Sequence, residues 1–529
     1  MKSLRSTVGW TEVRWSFRVV GALLIAVSPL HLEAQPLAAG SDRFLGCGTS
    51  SSVYRDLADY WNQVTPGNDG KWGSVESIQG QYNWSGLDAI YNYAGTVGIP
   101  FKEHTLVWGN QQPAWIASLD SAAQRAAVEN WVLRVGQRYP ATAYVDVVNE
   151  PFNAPPPYAN ALGGAGSTGW DWVLTAFELA RQYCPSGAKL ILNEYNILQS
   201  NSVTTNYLAL INLLKERGLI DGIGVQGHYF EFRSDIGSSN PYVYDIETLK
   251  GNLKRLTDTG IPVYVSEFDI DEPLDSNQLA QYKIYFPIFW ENPGVKGITF
   301  WGYIEGDVWN AHPNTYLLRA NGTERPALQW MRTYVLIPLP PSPLSPVYET
   351  DVPRNPQLVW SSSDSATSYH VQLAMSSTFS PVVVDTLVTD SLLRLSSPLE
   401  SGRRVHWRVS AANAHGESRY SATVSFITGT QIVSVGDSEN PCHGFELLQN
   451  YPNPFNPATT ITYSVPYRSS ISLTVHNLMG QELATLFAGV REPGTYVETV
   501  NATGLATGVY FYRLTAGGFV ATKQLIVLK

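Results

Sequence analysis

Eight short apolar runs between residues 42 and 335, separated by helix-like segments, constrain this 529-residue chain more than any other feature. They read FLGCG, WNQVT, PFKEHTLVW, YVDVVNE, KLILNEY, GIGVQGH, PVYVSEF and GITFWGY. Segments between them, such as SAAQRAAVENWVLRVGQRY and GWDWVLTAFELARQY, carry apolar residues at helical spacing. Strand and helix alternating in this way predict a (β/α)8 TIM barrel. The later runs are apolar along their bodies and turn polar at their C-terminal ends, at Glu150, Glu194, His228, Glu267 and Trp301. A barrel of this type builds its active site at that end. Satisfied strand-end carboxylates explain one or two such endings, but not the whole series.

Composition narrows the partners. A net charge of −10 excludes the basic face that a nucleic acid needs. The 16 Trp and 29 Tyr fit either large aromatic cores or stacking surfaces for sugar rings. Three cysteines, Cys47, Cys184 and Cys442, form no disulfide framework and no zinc spacing, although a single Cys47–Cys184 bridge is conceivable on count alone. No metal and no cofactor are expected, and the protein is expected to be a monomer. Arg5, Arg14 and Arg18 precede the apolar run VVGALLIAVSPL and then LEAQ, which predicts a signal peptide over 1–34 cleaved near Ala34; a retained anchor is the alternative.

The pattern changes after the barrel. LIPLPPSPLSP (336–346) reads as a stiff Pro-rich linker. Residues 347–428 carry short alternating strands, with Tyr369, Val371 and Leu373 on one face and Val405, Trp407 and Val409 on another, as in an antiparallel β-sandwich. The tail, 445–529, is again all β.

Two strand-end carboxylates without metal ligands or a phosphate loop fit glycoside hydrolysis, in which one carboxyl donates a proton and the other attacks. Alternation along PVYVSEFDI places Val263, Val265, Glu267 and Asp269 on one face. Two neighbouring acids repel unless a cation or donor lies between them, and His228 ends the preceding run. Glu267 is therefore expected to be the nucleophile, hydrogen-bonded by His228, which Asp269 orients. For the acid, Glu150 and Glu194 stay equivalent at this level, since each follows an asparagine at a strand end. GAGSTG (164–169) fits a dinucleotide-binding glycine pattern but follows no strand, and is read as a loop.

The stretches NQVTPGNDGKWGSVE, HTLVWGNQQPAW, DVVNEP, LNEYNI, GVQGH, VYVSEFDI and TFWGY resemble family 10 glycoside hydrolases, the endo-β-1,4-xylanases, in order and across the whole of 42–335. The resemblance implies a retaining mechanism with Glu150 as acid/base and Glu267 as nucleophile, leaving Glu194 structural. It implies that Asn149 contacts the sugar 2-hydroxyl at the cleavage point. Lys71, His104, Trp108 and Gln226 would surround the glycone, Asn68 and Gln111 would bind substrate near it, Tyr195 and Asn196 would line the cleft, and Trp301 and Trp309 would form an aromatic wall. The substrate would be xylan and its oligosaccharides. One departure stands out: the family usually carries Glu before the Asn of Asn-x-x-Lys-Trp, where this chain has Gly67, which implies weakened glycone binding. The alternatives are a β-1,4-glucanase on a related barrel and an inactive polysaccharide-binding surface protein. Residues 347–428 resemble a fibronectin type III module, with Trp360, Tyr369 and Trp407 in its core, acting as a spacer. ELLQNYPNPFNPATTI, HNLMGQELATL, LATGVYFYRL and KQLIVLK resemble the type A C-terminal sorting domain of type IX secretion cargo. That resemblance implies the secretion machinery as partner, and a secreted or cell-surface protein.

Overall fold

The computed structural model describes residues 35–50, 56–232, 245–432 and, apart from short gaps, 445–527. The expected signal peptide and Cys442 lie outside the described residues. Eight parallel strands close into a barrel in chain order: β1 (Phe44–Thr49), β2 (Val64–Pro66), β3 (Phe101–Val107), β4 (Thr142–Asn149), β5 (Lys189–Glu194), β6 (Gly222–Val225), β7 (Val263–Phe268) and β8 (Val295–Phe300). Each expected run supplies one strand, and β8 pairs back onto β1 with Phe44 opposite Gly297.

Helices cover the outside. Ser121–Arg138 begins where the Asp120 carboxylate accepts the Ala123 N–H, an N-cap that satisfies one of the donors exposed at a helix start. Its inner face buries Val128, Trp131, Val132 and Val135, and the Trp131 indole donates to the Leu106 carbonyl of β3 at 3.0 Å. The helix Asp171–Tyr183 buries Trp172, Val173, Ala176 and Phe177 against the same layer. Valines 263 and 265 belong to this strand–helix core.

Inside the barrel, Phe44, Tyr144, Ile191 and Tyr264 form a separate apolar plug near the strand starts. Further along the strands the interior turns polar: Asp146 accepts from Lys102 Nζ at 3.0 Å and meets His104 Nδ1 at 2.8 Å. Buried charges persist only when paired in this way.

One expectation needs correction. Val263, Val265, Glu267 and Asp269 do not share a face: Tyr264 points into the barrel while the valines pack toward the helices. The register of β7 against β8 shifts between Val265 and Phe268, and that of β4 against β5 shifts between Asp146 and Val148. Such irregularities re-aim side chains. Both lie at or just before the two glutamates that face the barrel mouth.

Two β modules follow. In the first, a sheet of Pro343–Ser345, Gln357–Trp360 and Leu392–Arg394 shares one core with a five-stranded sheet centred on Ser368–Ala374 and Arg404–Asn413. Trp360, Tyr369 and Trp407 are all in that core. The Pro-rich stretch is therefore not a spacer throughout. Pro343–Ser345 adds a strand to the module, and the Trp407 indole donates to the Pro346 carbonyl at 2.9 Å. The tail module pairs a three-stranded with a four-stranded antiparallel sheet around Ile461, Tyr463, Leu473, Tyr512 and Leu525. Cys47 and Cys184 are buried and free, so the conceivable bridge is absent.

Candidate active site

A cavity of about 520 Å³ opens at the C-terminal ends of the barrel strands. On one side it is lined from the ends of β1, β2, β3 and β8 by Thr49, Gly67, Asn68, Lys71, His104, Trp108, Gln111 and Trp301. The ends of β5 and β6 bring Tyr195, Gln226, His228 and Phe230. In a closed ring of eight strands β2 and β6 face each other, so the cavity crosses the mouth. Asn149 and Glu150 reach it from the end of β4, and Glu267 from β7.

Glu150 turns out of β4 with φ of 54°, a left-handed conformation that is costly for a residue with a side chain. Its N–H donates to the Asn193 carbonyl at 2.8 Å, which helps hold the turn. Its carboxylate accepts from the Trp108 indole at 3.0 Å and from Gln226 Nε2 at 3.0 Å. Burial raises its pKa, the nearby Glu267 charge adds to the effect, and the two hydrogen bonds oppose it without cancelling it.

Glu267 is shifted the other way. Burial alone would raise its pKa, but His104, the hydrogen bond and charge of His228, and the charge of Lys71 outweigh burial and push it down to about 2. Burial and the Lys71 charge hold His104 itself below its ordinary value. The cations that face Glu267 near neutral pH are therefore His228 and Lys71. His228 loses hydration by burial, yet Asp269 and Glu267 together hold its pKa well above the ordinary imidazole value. Its Nδ1 donates to Asp269 Oδ2 at 2.8 Å, and its Nε2 lies 3.4 Å from Glu267 Oε2. Lys71 is pushed down to about 8 by burial, with Glu267 chief among the acids that resist the shift. Its Nζ sits 5.0 Å from the Trp108 ring centre and 5.5 Å from that of Trp301, so one ammonium is held between two indoles.

A chain of amides joins the two acids. Asn193 Nδ2 donates to Glu267 Oε1 at 3.0 Å and to Asn149 Oδ1 at 2.8 Å, while Gln226 Nε2 reaches Asn149 Oδ1 at 3.3 Å as well as Glu150. Ser266 Oγ donates to Asn193 Oδ1 at 2.6 Å, while the acceptor-only carboxylate of Glu267 fixes which end of that amide donates. Asn193 and Ser266 were not singled out from sequence; the paired asparagines before the two glutamates were the available signal. Phe230, Asp307 and Val308 also line the cavity without a motif to mark them.

The other expected residues separate. Trp309, near half exposed, packs against His228 and His312 at the rim, with ring centres 5.6 and 4.6 Å away. Gln111 Nε2 donates to Asn68 Oδ1 at 2.9 Å. Glu194 does not line the cavity; it accepts from the N–H of Phe152, the side chain of Asn153 and the N–H of Tyr195, each at 2.9 Å. Asn196 does not line it either. Its N–H donates to Glu231 Oε2 at 2.6 Å and its side-chain oxygen accepts from Gln199, so the residue braces the loop beside Tyr195. Gly67 leaves open space: a β-carbon there would meet nothing closer than the Thr49 carbonyl oxygen at 3.5 Å.

Residues 41–334 match the family model of glycosyl hydrolase family 10, and residues 449–528 match that of a secretion system C-terminal sorting domain. The chain is 39% identical over 293 residues to endo-1,4-beta-xylanase B of Cellvibrio japonicus, a match covering 55% of this chain and 45% of that relative. It is 31% identical over 280 residues to endo-1,4-beta-xylanase A of Phanerodontia chrysosporium, covering 50% of this chain and 65% of the relative. The chain thus spans less than half the length of the first of these relatives. Its fold is like that of a GH10 structure from Paenibacillus barcinonensis, with a TM-score of 0.50 at 21% identity over 57% of this chain and 97% of that one.

Proposed function

Because the chain belongs to glycosyl hydrolase family 10, we propose that it is an exported endo-β-1,4-xylanase that hydrolyses internal bonds of xylan with retention of anomeric configuration. One observation carries this reading: two carboxyls facing a single cavity are shifted in opposite directions, Glu150 upward by burial and Glu267 down to about 2. That is the division of labour a retaining glycosidase needs. Glu267, ionised, attacks the anomeric carbon. Glu150 gives its proton to the leaving oxygen, then as carboxylate takes a proton from the water that releases the glycosyl intermediate. His228 and Lys71 keep the nucleophile charged, and Asp269 keeps His228 oriented and protonated. Asn149, tied to both acids through the amide chain, meets the sugar 2-hydroxyl. Lys71, His104, Asn68 and Gln111 supply polar contacts on the glycone side, and Trp108, Trp301 and Trp309 supply apolar faces.

The C-terminal module delivers the enzyme to the type IX secretion machinery, and the protein is secreted or held at the cell surface. The module between acts as a spacer of fibronectin type III type.

The purified enzyme should release reducing sugar from xylan far faster than from carboxymethyl-cellulose; the reverse preference contradicts the substrate. Glu150→Ala should retain activity on aryl xylosides with good leaving groups, and its activity should lose the alkaline fall that reports deprotonation of the acid. Glu267→Ala should lose activity on every substrate, as measured by initial rates. Gly67→Glu should raise kcat/KM on xylo-oligosaccharides by about tenfold, the worth of one charge-assisted hydrogen bond in the open space at that position. In the native host, deletion of 445–529 should leave the enzyme in the periplasm, as followed by fractionation and immunoblotting.

A further inference from the structure

Glu231 is buried three residues beyond His228, on the far side of the mouth from Lys71. Its carboxylate gathers four donors from two loops. Oε1 accepts the backbone N–H groups of Gly227 and His228, each at 2.8 Å. Oε2 accepts the N–H of Asn196 at 2.6 Å and Gln199 Nε2 at 3.3 Å. Gln199 also donates to the Asn196 side chain at 2.9 Å, which closes a small ring of bonds. One carboxylate therefore straps the loop after β5 to the loop after β6. The first loop carries Tyr195, which lines the cavity within electrostatic reach of Glu150; the second carries His228. Asn196 has a φ of 57°, a left-handed conformation that asparagine adopts more readily than most residues and that the bonds to Glu231 and Gln199 hold.

We infer that Glu231 is a positioning residue that sets the leaving-sugar side of the cleft. The inference rests on the functional reading above. A proton donor at Glu150 serves the oxygen of the leaving sugar, so that sugar lies against Glu150 and the β5 loop, away from Lys71 and His104. A strap that fixes Tyr195 therefore governs substrates whose leaving group is a sugar. Substrates with a small activated leaving group depend on it far less.

Glu231→Gln separates the two halves of the strap. The amide has one accepting oxygen. The two fixed N–H groups of Gly227 and His228 hold it best, because the alternative partner Gln199 has a side chain that can swing away. The amide nitrogen then faces the Asn196 N–H, donor against donor, and the link to the β5 loop is lost while the His228 backbone stays held. Gln199→Met removes only the Gln199 bonds and leaves the Asn196 N–H on Glu231, so it weakens the strap without cutting it; it also removes an oxygen (Gln199 Oε1) that is buried without a partner among the described residues.

The test compares kcat/KM for xylopentaose with kcat/KM for an aryl xylobioside, alongside thermal melting of each variant. For Glu231→Gln the expected result is a loss of about tenfold on xylopentaose, the effect of one hydrogen bond to a charged group, with less than about a threefold change on the aryl substrate. Gln199→Met should move both in the same sense by less. Equal losses on the two substrates, or none on either in a variant that melts normally, overturn the inference. A wild-type enzyme inactive on both substrates overturns the functional reading and this inference with it.

Discussion

A protonated imidazole held between two carboxylates is the interaction on which the rest of the site depends. Asp269 and Glu267 are close in sequence and would repel each other in a buried mouth. His228 lies between them, bonded to one at 2.8 Å and 3.4 Å from the other. The pair of acids makes the histidine a cation, and the cation keeps Glu267 ionised although it is buried. Glu150, across the mouth, has no such partner. Its hydrogen bonds come from the neutral donors Trp108, Gln226 and Asn149, and these together with the Lys71 charge do not offset burial, so its proton is retained more readily. The asymmetry between two chemically identical groups comes from what stands next to each.

That asymmetry needs a rigid frame, and the barrel supplies it from several strands at once. Asn193 on β5 bridges Glu267 on β7 to Asn149 on β4, and Gln226 beyond β6 closes the path to Glu150. Beneath this layer the Lys102–Asp146–His104 cluster fills the barrel with paired charge, and an apolar plug closes its base. Hydrogen-bonded groups of this kind are costly to displace, which favours a site organised before substrate arrives.

Much of this was legible in the chain. The eight runs marked the strands, their polar ends marked the mouth, and the short spacing of Glu267 and Asp269 beside His228 foretold an intervening cation. Strand alternation misled where register slips: in β7 the valines face the helices, and the pairing shift between Val265 and Phe268 lets Glu267 face the mouth instead. The choice between Glu150 and Glu194 was also beyond local pattern. Both follow asparagine at a strand end, but Glu150 leaves its strand with a positive φ and faces the cavity. Glu194 is taken up by two donors from the loop after β4 and by the N–H of Tyr195. Asn196 does not line the cavity, and its N–H and side-chain oxygen brace the loop beside Tyr195. Such distinctions depend on which backbone N–H groups lie within reach, and contacts between distant segments leave no trace in a one-dimensional pattern.

Direct attack by an ionised Glu267, with Glu150 serving both steps, carries a stereochemical signature. Proton NMR of xylo-oligosaccharide hydrolysis, recorded before mutarotation proceeds, tests it most directly. The β-anomer of the new reducing end should appear first and the α-anomer only later. Initial formation of the α-anomer would mean a single displacement by water and would contradict it.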